Sequence, residues 1–178
     1  SPGTNDMAAL AAVLQPVIDD LIDGDDDTLG TADDVNKIVL VSLLQQFALE
    51  DELAGLLRGV DVIIAGGSDT INADPQDRLR TGDTADQPYP VIVNDLDGNP
   101  TAVVSTDGEY SYVGRLVVEF DENGNIITGS IDENVSGAFA TDEQGVLDVT
   151  GAATLEDAIA ASEPATTVHN QTQAVTAV

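Results

Sequence analysis

Apolar and polar positions along this chain fall into two regimes, helical near the start and strand-like through the middle. From Asp6 to about Ile22 apolar residues recur at helical spacing (Met7, Leu10, Leu14, Val17, Ile18, Leu21). Asn5 or Asp6 stands where a cap belongs, and Pro16 marks a kink. Ile38 to Val41 is an apolar strand, Gln45 to Arg58 a helix ending near Gly59, and Val60 to Ala65 a second apolar strand running into Gly66-Gly67. That succession predicts one βαβ unit, with Ser68-Asp69-Thr70 just past the carboxyl end of its second strand.

Residues 66–88 form a long, polar, irregular segment, and loops of that length are usually functional or mobile. From Tyr89 the pattern turns to strands. Pro90–Asn94 and Thr101–Ser105 read as a hairpin with Asp97-Gly98 at its turn, and Ser111–Phe120 with Ile126–Ser130 as a second around Asn123-Gly124. Beyond Gly137 periodicity weakens. Leu155–Ala161 is a short helix capped by Thr154, and the tail from Thr166 packs as a helix or frays. The fold class is therefore α/β: a mixed sheet from a βαβ unit plus antiparallel hairpins, with helices against one face. Residues 1–140 make the domain, and 141–178 a weakly structured or helical extension.

Charge changes the picture most. The chain has 178 residues, enough for one domain with a real core, and carries 33 acidic against 5 basic residues for a formal net charge of -28. Self-repulsion at that charge opposes compaction unless salt or cations screen it. Nucleic acid and anionic membranes are excluded as partners, since phosphate binding needs clustered Lys and Arg. The Asp-rich, Lys-poor composition resembles that of bacterial proteins from salty or marine settings, outside the cell or in the periplasm. No cysteine is present, so neither disulfides nor thiolate chemistry enter. No apolar run approaches a membrane span, and the start SPGTNDM does not read as a signal peptide.

The order helix, βαβ, long loop and antiparallel strands, with the stretch YSYVGRLVVEFDENGNI, resembles the C-terminal half of the catalytic domain of 5'-nucleotidase-like (calcineurin-like) metallophosphoesterases. The resemblance covers roughly Pro2 to Ala140. It implies half of a phosphoesterase α/β sandwich and a hydrolase ancestry. In that family the equivalent of VSLLQQ carries a metal-binding His after its Ser, where this chain has Leu43. The later motif, commonly Gly-Gly-His-Ser-His-Thr, here reads Gly66-Gly67-Ser68-Asp69-Thr70. The first-half metal motifs do not occur either. With one His in the chain, the usual two-metal site cannot be assembled, whether for Mn²⁺ or for Zn²⁺ near Asp69.

Ligand sites in open α/β sheets form at the carboxyl ends of strands. Asp69, Ser68 and Thr70 are thus the candidate catalytic residues, and Asn94, Arg78 and Arg80 the candidates for binding an ester substrate. Asp23, Asp25, Asp27 and Asp34 occupy positions 1, 3, 5 and 12 of a loop that suits Ca²⁺, although Thr28 replaces the usual Gly and Asp34 the longer Glu. The competing explanation is a solvated acidic loop. His169 suggests a triad with Ser42, Ser68 or Ser105, but none of these sits in a Gly-x-Ser-x-Gly elbow. A half-sandwich leaves apolar sheet surface uncovered, which predicts a homo-oligomer. Two functions follow: residual or altered hydrolysis of phosphate esters or other esters, or a noncatalytic, calcium-stabilised acidic domain.

Overall fold

The computed structural model describes residues 5–24, 31 and 34–161. Helix α1 (Met7–Asp23) opens with Asp6 as its cap, the carboxylate accepting from Ala9 N at 2.9 Å, and holds Pro16 in its interior. Strand β1 (Val39–Ser42), helix α2 (Phe47–Ala54) and strand β2 (Val62–Ala65) form the expected βαβ unit, with β1 and β2 parallel and Val41 opposite Ile64. The hairpin β3 (Val91–Asn94) and β4 (Pro100–Val104) follows, and β4 joins β2 in parallel. One four-stranded sheet results, in the order β1-β2-β4-β3.

The core lies on one face of that sheet. Met7, Ala11 and Ile18 of α1 and Phe47, Leu53 and Ala54 of α2 pack against Ile63, Ala65 and Val103. Side chains alternate across a strand, so the neighbours of these residues turn outward. Val39, Val41 and Ile64 are exposed, and so is Leu43 just past β1. The predicted uncovered apolar surface is therefore present beside β1. α1 is tied to the loop after α2 by a reciprocal pair: Arg58 N donates to Gln15 Oε1 at 2.9 Å, and Gln15 Nε2 to Arg58 O at 3.2 Å.

The second hairpin departs from expectation. Ser111–Phe120 is not one strand. β5 (Tyr112–Arg115) pairs with β8 (Gly137–Ala140), and only β6 (Glu119–Phe120) and β7 (Ile126–Ile127) pair around the Asn123-Gly124 turn. The break falls at Val117, whose N–H and carbonyl are both taken by the Ser136 hydroxyl. Thr128–Ser130, expected to continue a strand, is a 3-10 turn.

Helices α3 (Glu143–Thr150) and α4 (Leu155–Ala161) complete the described chain. α3 has Asp142 at its cap and Gly151 in the left-handed conformation at its end, with φ 67°. α4 begins as expected at Thr154, whose hydroxyl accepts from Asp157 N at 3.1 Å. Among the described residues no helix is long and apolar enough to cross a membrane.

Candidate functional site at the strand ends

Parallel strands place their carboxyl ends together, and the loops leaving β1, β2 and β4 meet there. Gln45 N donates to Gly66 O at 3.3 Å, and Asp107 N to Thr70 O at 2.9 Å. These bonds bring the Ser68-Asp69-Thr70 segment beside the loop after β4. Asp69 is exposed, and a Cβ added to Gly108 would lie 3.2 Å from its Oδ1, so the carboxylate sits close over this loop. Asp69, Asp107, Gly108, Glu109 and Ser111 line a cleft of about 340 Å³.

The same loop holds unusual backbone. Asp107, Glu109 and Tyr110 have φ of 67°, 54° and 60°, a region costing an L-residue about 1–2 kcal/mol each. Such strain concentrates at functional sites, and here it adjoins Asp69. A second cleft of about 380 Å³ shares Asp107 and is lined by Ile64, Gly67, Tyr89, Ser105 and Thr106. Burial, with Asp77 and Asp74 nearby, pushes the Tyr89 phenol up to about 12, so it stays a neutral hydroxyl.

The exit from β1 is built differently from a metal site. Cβ atoms added to Gly66 and Gly67 would lie 3.3 Å and 2.6 Å from Leu43 Cδ1, so this apolar side chain rests over the glycines. Ser42 Oγ and Leu44 N both donate to Glu50 Oε1 at 3.0 Å, and Glu50 is fully buried. Ser42 is thereby engaged in holding the loop. Among the described residues no three His, Cys, Asp or Glu side chains converge to hold a metal. The donor set at these strand ends does not fit the two-metal centre that the resemblance implied.

The remaining candidates are dispersed. Asn94 ends β3, which runs antiparallel to β4, so it sits opposite Pro100 at the amino end of that strand, away from Asp69. Arg78 is committed to α3, pairing with Asp142 and, at 3.0 Å, with Asp148. Arg80 is exposed, and its backbone N–H donates to the Tyr112 hydroxyl at 2.8 Å. In the acidic loop, Asp23 ends α1 and Asp34 accepts from Thr31 N at 3.2 Å and Thr31 Oγ1 at 3.0 Å. Asp25 and Asp27 lie outside the described residues, as does His169. The Asp95 and Asp121 carboxylates accept from the amides of their own hairpin turns.

Two contributors escaped the sequence. Glu50 carries no signal, being one acid among many on a short helix. The Asp107–Ser111 loop was legible only through the parallel pairing of β4 with β2, which turns a hairpin strand into one whose carboxyl end faces the site.

The structure defines an α/β domain with clefts at the carboxyl ends of its parallel strands, and comparisons with known proteins narrow this further. Over 132 residues, 72% of the chain, it is 34% identical to the 5'-nucleotidases of Bos taurus and Homo sapiens. It is 31% identical over 99 residues, 54% of the chain, to a snake venom 5'-nucleotidase of Crotalus adamanteus, of which it covers 16%. The solved NAD nucleotidase of Haemophilus influenzae matches 79% of this chain and 21% of its own, with a TM-score of 0.53 and 20% identity, a likeness of fold. No protein-family profile matches. The chain carries a partial 5'-nucleotidase-like domain, and it spans 20% of the length of the mammalian relatives it matches.

Proposed function

We propose that this domain is one side of an ester-hydrolysing site at the carboxyl ends of β2 and β4, and that its own residues favour an uncharged ester. The supporting observation is the single cleft to which Asp69 and the strained Asp107–Ser111 loop both contribute. Three carboxylates around one cleft repel a phosphate dianion unless cations neutralise them, whereas a neutral ester meets no such barrier. A carboxylate there can accept the proton of an attacking water. Phosphate esters remain the substrate class of the relatives' name, and venom relatives support a place outside the cell or in the periplasm.

The test is hydrolysis of an aryl phosphate and an aryl ester by EDTA-stripped protein, with and without Mn²⁺, Zn²⁺ and Ca²⁺. Ester turnover that ignores metal and is lost in Asp69→Ala and Asp107→Ala is the expected result. Metal-restored phosphatase activity would instead support the ancestral chemistry. Silence on both substrates would overturn the reading.

The seating of Leu43 over Gly66 and Gly67 favours a second reading, a noncatalytic domain; calcium at the 23–34 loop would stabilise it, a part of the reading carried by the spacing of Asp23, Asp25, Asp27 and Asp34 alone. Calorimetric Ca²⁺ uptake lost in Asp25→Ala/Asp27→Ala, with no turnover, would establish it.

A further inference from the structure

On the outward face of the main sheet, Ile64 of β2 stands beside Val104 of β4 in register. Leu116, just past β5, and Tyr89 line the same cleft of about 380 Å³. Clefts that enclose small ligands span about 300–1,000 Å³ and are mostly apolar, with a few polar groups that fix orientation. This one is apolar apart from Tyr89 and the Ser105–Asp107 strand end, and among the described residues Asp107 is its one charged side chain.

Tyr89 supplies the orienting group. The residue is 4% exposed, and its N–H donates to Asp74 Oδ1 at 3.2 Å. Among the described residues its hydroxyl has no hydrogen-bond partner, whereas a buried phenol ordinarily finds one. That hydroxyl lies against Gly114, where an added Cβ would come within 2.9 Å of it. Gly114 lines the same cleft, so the bare residue leaves the hydroxyl open to it. Burial pushes the phenol up to about 12, which keeps it a neutral donor through the physiological range.

We propose that this cleft binds a neutral carbonyl compound carrying a compact apolar group, such as an aromatic acyl group. The apolar group lies on Ile64, Val104 and Leu116, and the Tyr89 hydroxyl donates to the carbonyl oxygen. A neutral donor over an apolar floor suits an uncharged acceptor, and Asp107 repels an anion. In the free protein the hydroxyl bonds to water, which the carbonyl replaces. Because Asp107 also lines the cleft that holds Asp69, a carbonyl seated here adjoins both. As the acyl pocket of the ester-hydrolysing site this rests on that reading; as a binding site it stands without it.

The test is titration of the methyl-labelled protein, followed by NMR, with acetophenone, ethylbenzene and benzoate. Ethylbenzene keeps the outline without the acceptor, and benzoate adds a negative charge. Acetophenone should shift the Ile64, Val104 and Leu116 methyls saturably, ethylbenzene should bind roughly tenfold more weakly, and benzoate should leave them unmoved. Tyr89→Phe should unfold at the same temperature, since the hydroxyl has no protein partner, and should bind acetophenone no better than ethylbenzene. An undiminished preference in Tyr89→Phe would overturn the assignment in favour of the Ser105 or Thr106 hydroxyl. Ile64→Trp, at a half-exposed position, fills the cleft and should abolish binding; retained binding would refute the site whatever Tyr89→Phe does. Acetophenone binding without ester turnover would uphold this site and overturn the hydrolytic reading. Ester turnover with no shift at the three methyls would uphold hydrolysis and overturn this site.

Discussion

Gly66 N donates to the carbonyl oxygen of Ser42 at 3.0 Å, closing the carboxyl ends of β1 and β2 against each other. A Cβ at Gly66 would come within 2.8 Å of that same oxygen, and backbone cannot swing aside as a side chain can. Gly66→Ala should therefore destabilise by about 2 kcal/mol or more. At Gly67 the obstacle is the φ of +82°, worth about 1–2 kcal/mol, because the neighbour there is the end of the exposed Leu43 side chain. Leu43→Ala should thus fail to rescue Gly67→Ala. Urea midpoints of the three variants check both statements.

Glu50 is the buried anchor of the β1–α2 loop, and its loss should be felt at both bonds it accepts. Removing it in Glu50→Ala leaves Ser42 Oγ and Leu44 N without their acceptor. A loss of about 2–4 kcal/mol is expected. Glu50→Gln keeps an oxygen acceptor and should cost clearly less. Equal losses in the two variants would show that burial of the charge, rather than the bonds, governs this position.

Local signals made most of the individual elements legible. Apolar runs, Asp6, Thr154 and the Asp97-Gly98 turn each act within a few residues, and each element they predict is present. What failed was long-range pairing. The pairing of Tyr112–Arg115 with Gly137–Ala140, rather than with Ile126–Ser130, depends on Ser136 reaching Val117, which no periodicity encodes. The helix Glu143–Thr150 had its markers in Asp142 and Gly151, but the low hydrophobicity of the residues between them hid it. At the site, Asp69 was legible from its place after a strand. Arg78 misled because its partners, Asp142 and Asp148, lie some seventy residues away in sequence.

Stability should peak in the acid range. Burial raises Asp61 above its ordinary 3.8, and burial followed by the charges of Asp77 and Glu133 raises Asp74. A raised carboxyl binds its proton more tightly in the folded chain, so stability grows as pH falls towards 3.8. Asp142 is lowered, first by the Arg78 hydrogen bond and then by Gly145 N–H, and Asp121 and Asp132 are lowered by the amides of Asn125 and Asn134. Their contribution is complete above 3.8 and is lost as pH falls below it. Urea midpoints should rise from neutral pH towards the region just above 3.8 and fall beyond it, with a smaller rise in Asp61→Asn. A profile that climbs steadily to neutral pH would contradict this.

Strand β1 is an edge of the sheet, and residues 38–44 contain no charge. Val39, Val41 and Leu43 are 56%, 71% and 70% exposed, beside Ile64 at 44%. Soluble proteins usually guard such an edge with Lys, Pro or a bulge. A second copy of this chain, repelled elsewhere by its acidic surface, meets least resistance here, where identical uncharged strands face each other. We therefore predict a dimer across β1 whose association tightens with salt, as the screening length falls from about 10 Å at 0.1 M to about 3 Å at 1 M. Light scattering over a wide concentration range, at low and high salt, should show the dimer, and Val41→Lys should weaken it by placing like charges at the contact. A monomer under every condition would mean that this face awaits a different cover, such as a further segment of a longer chain.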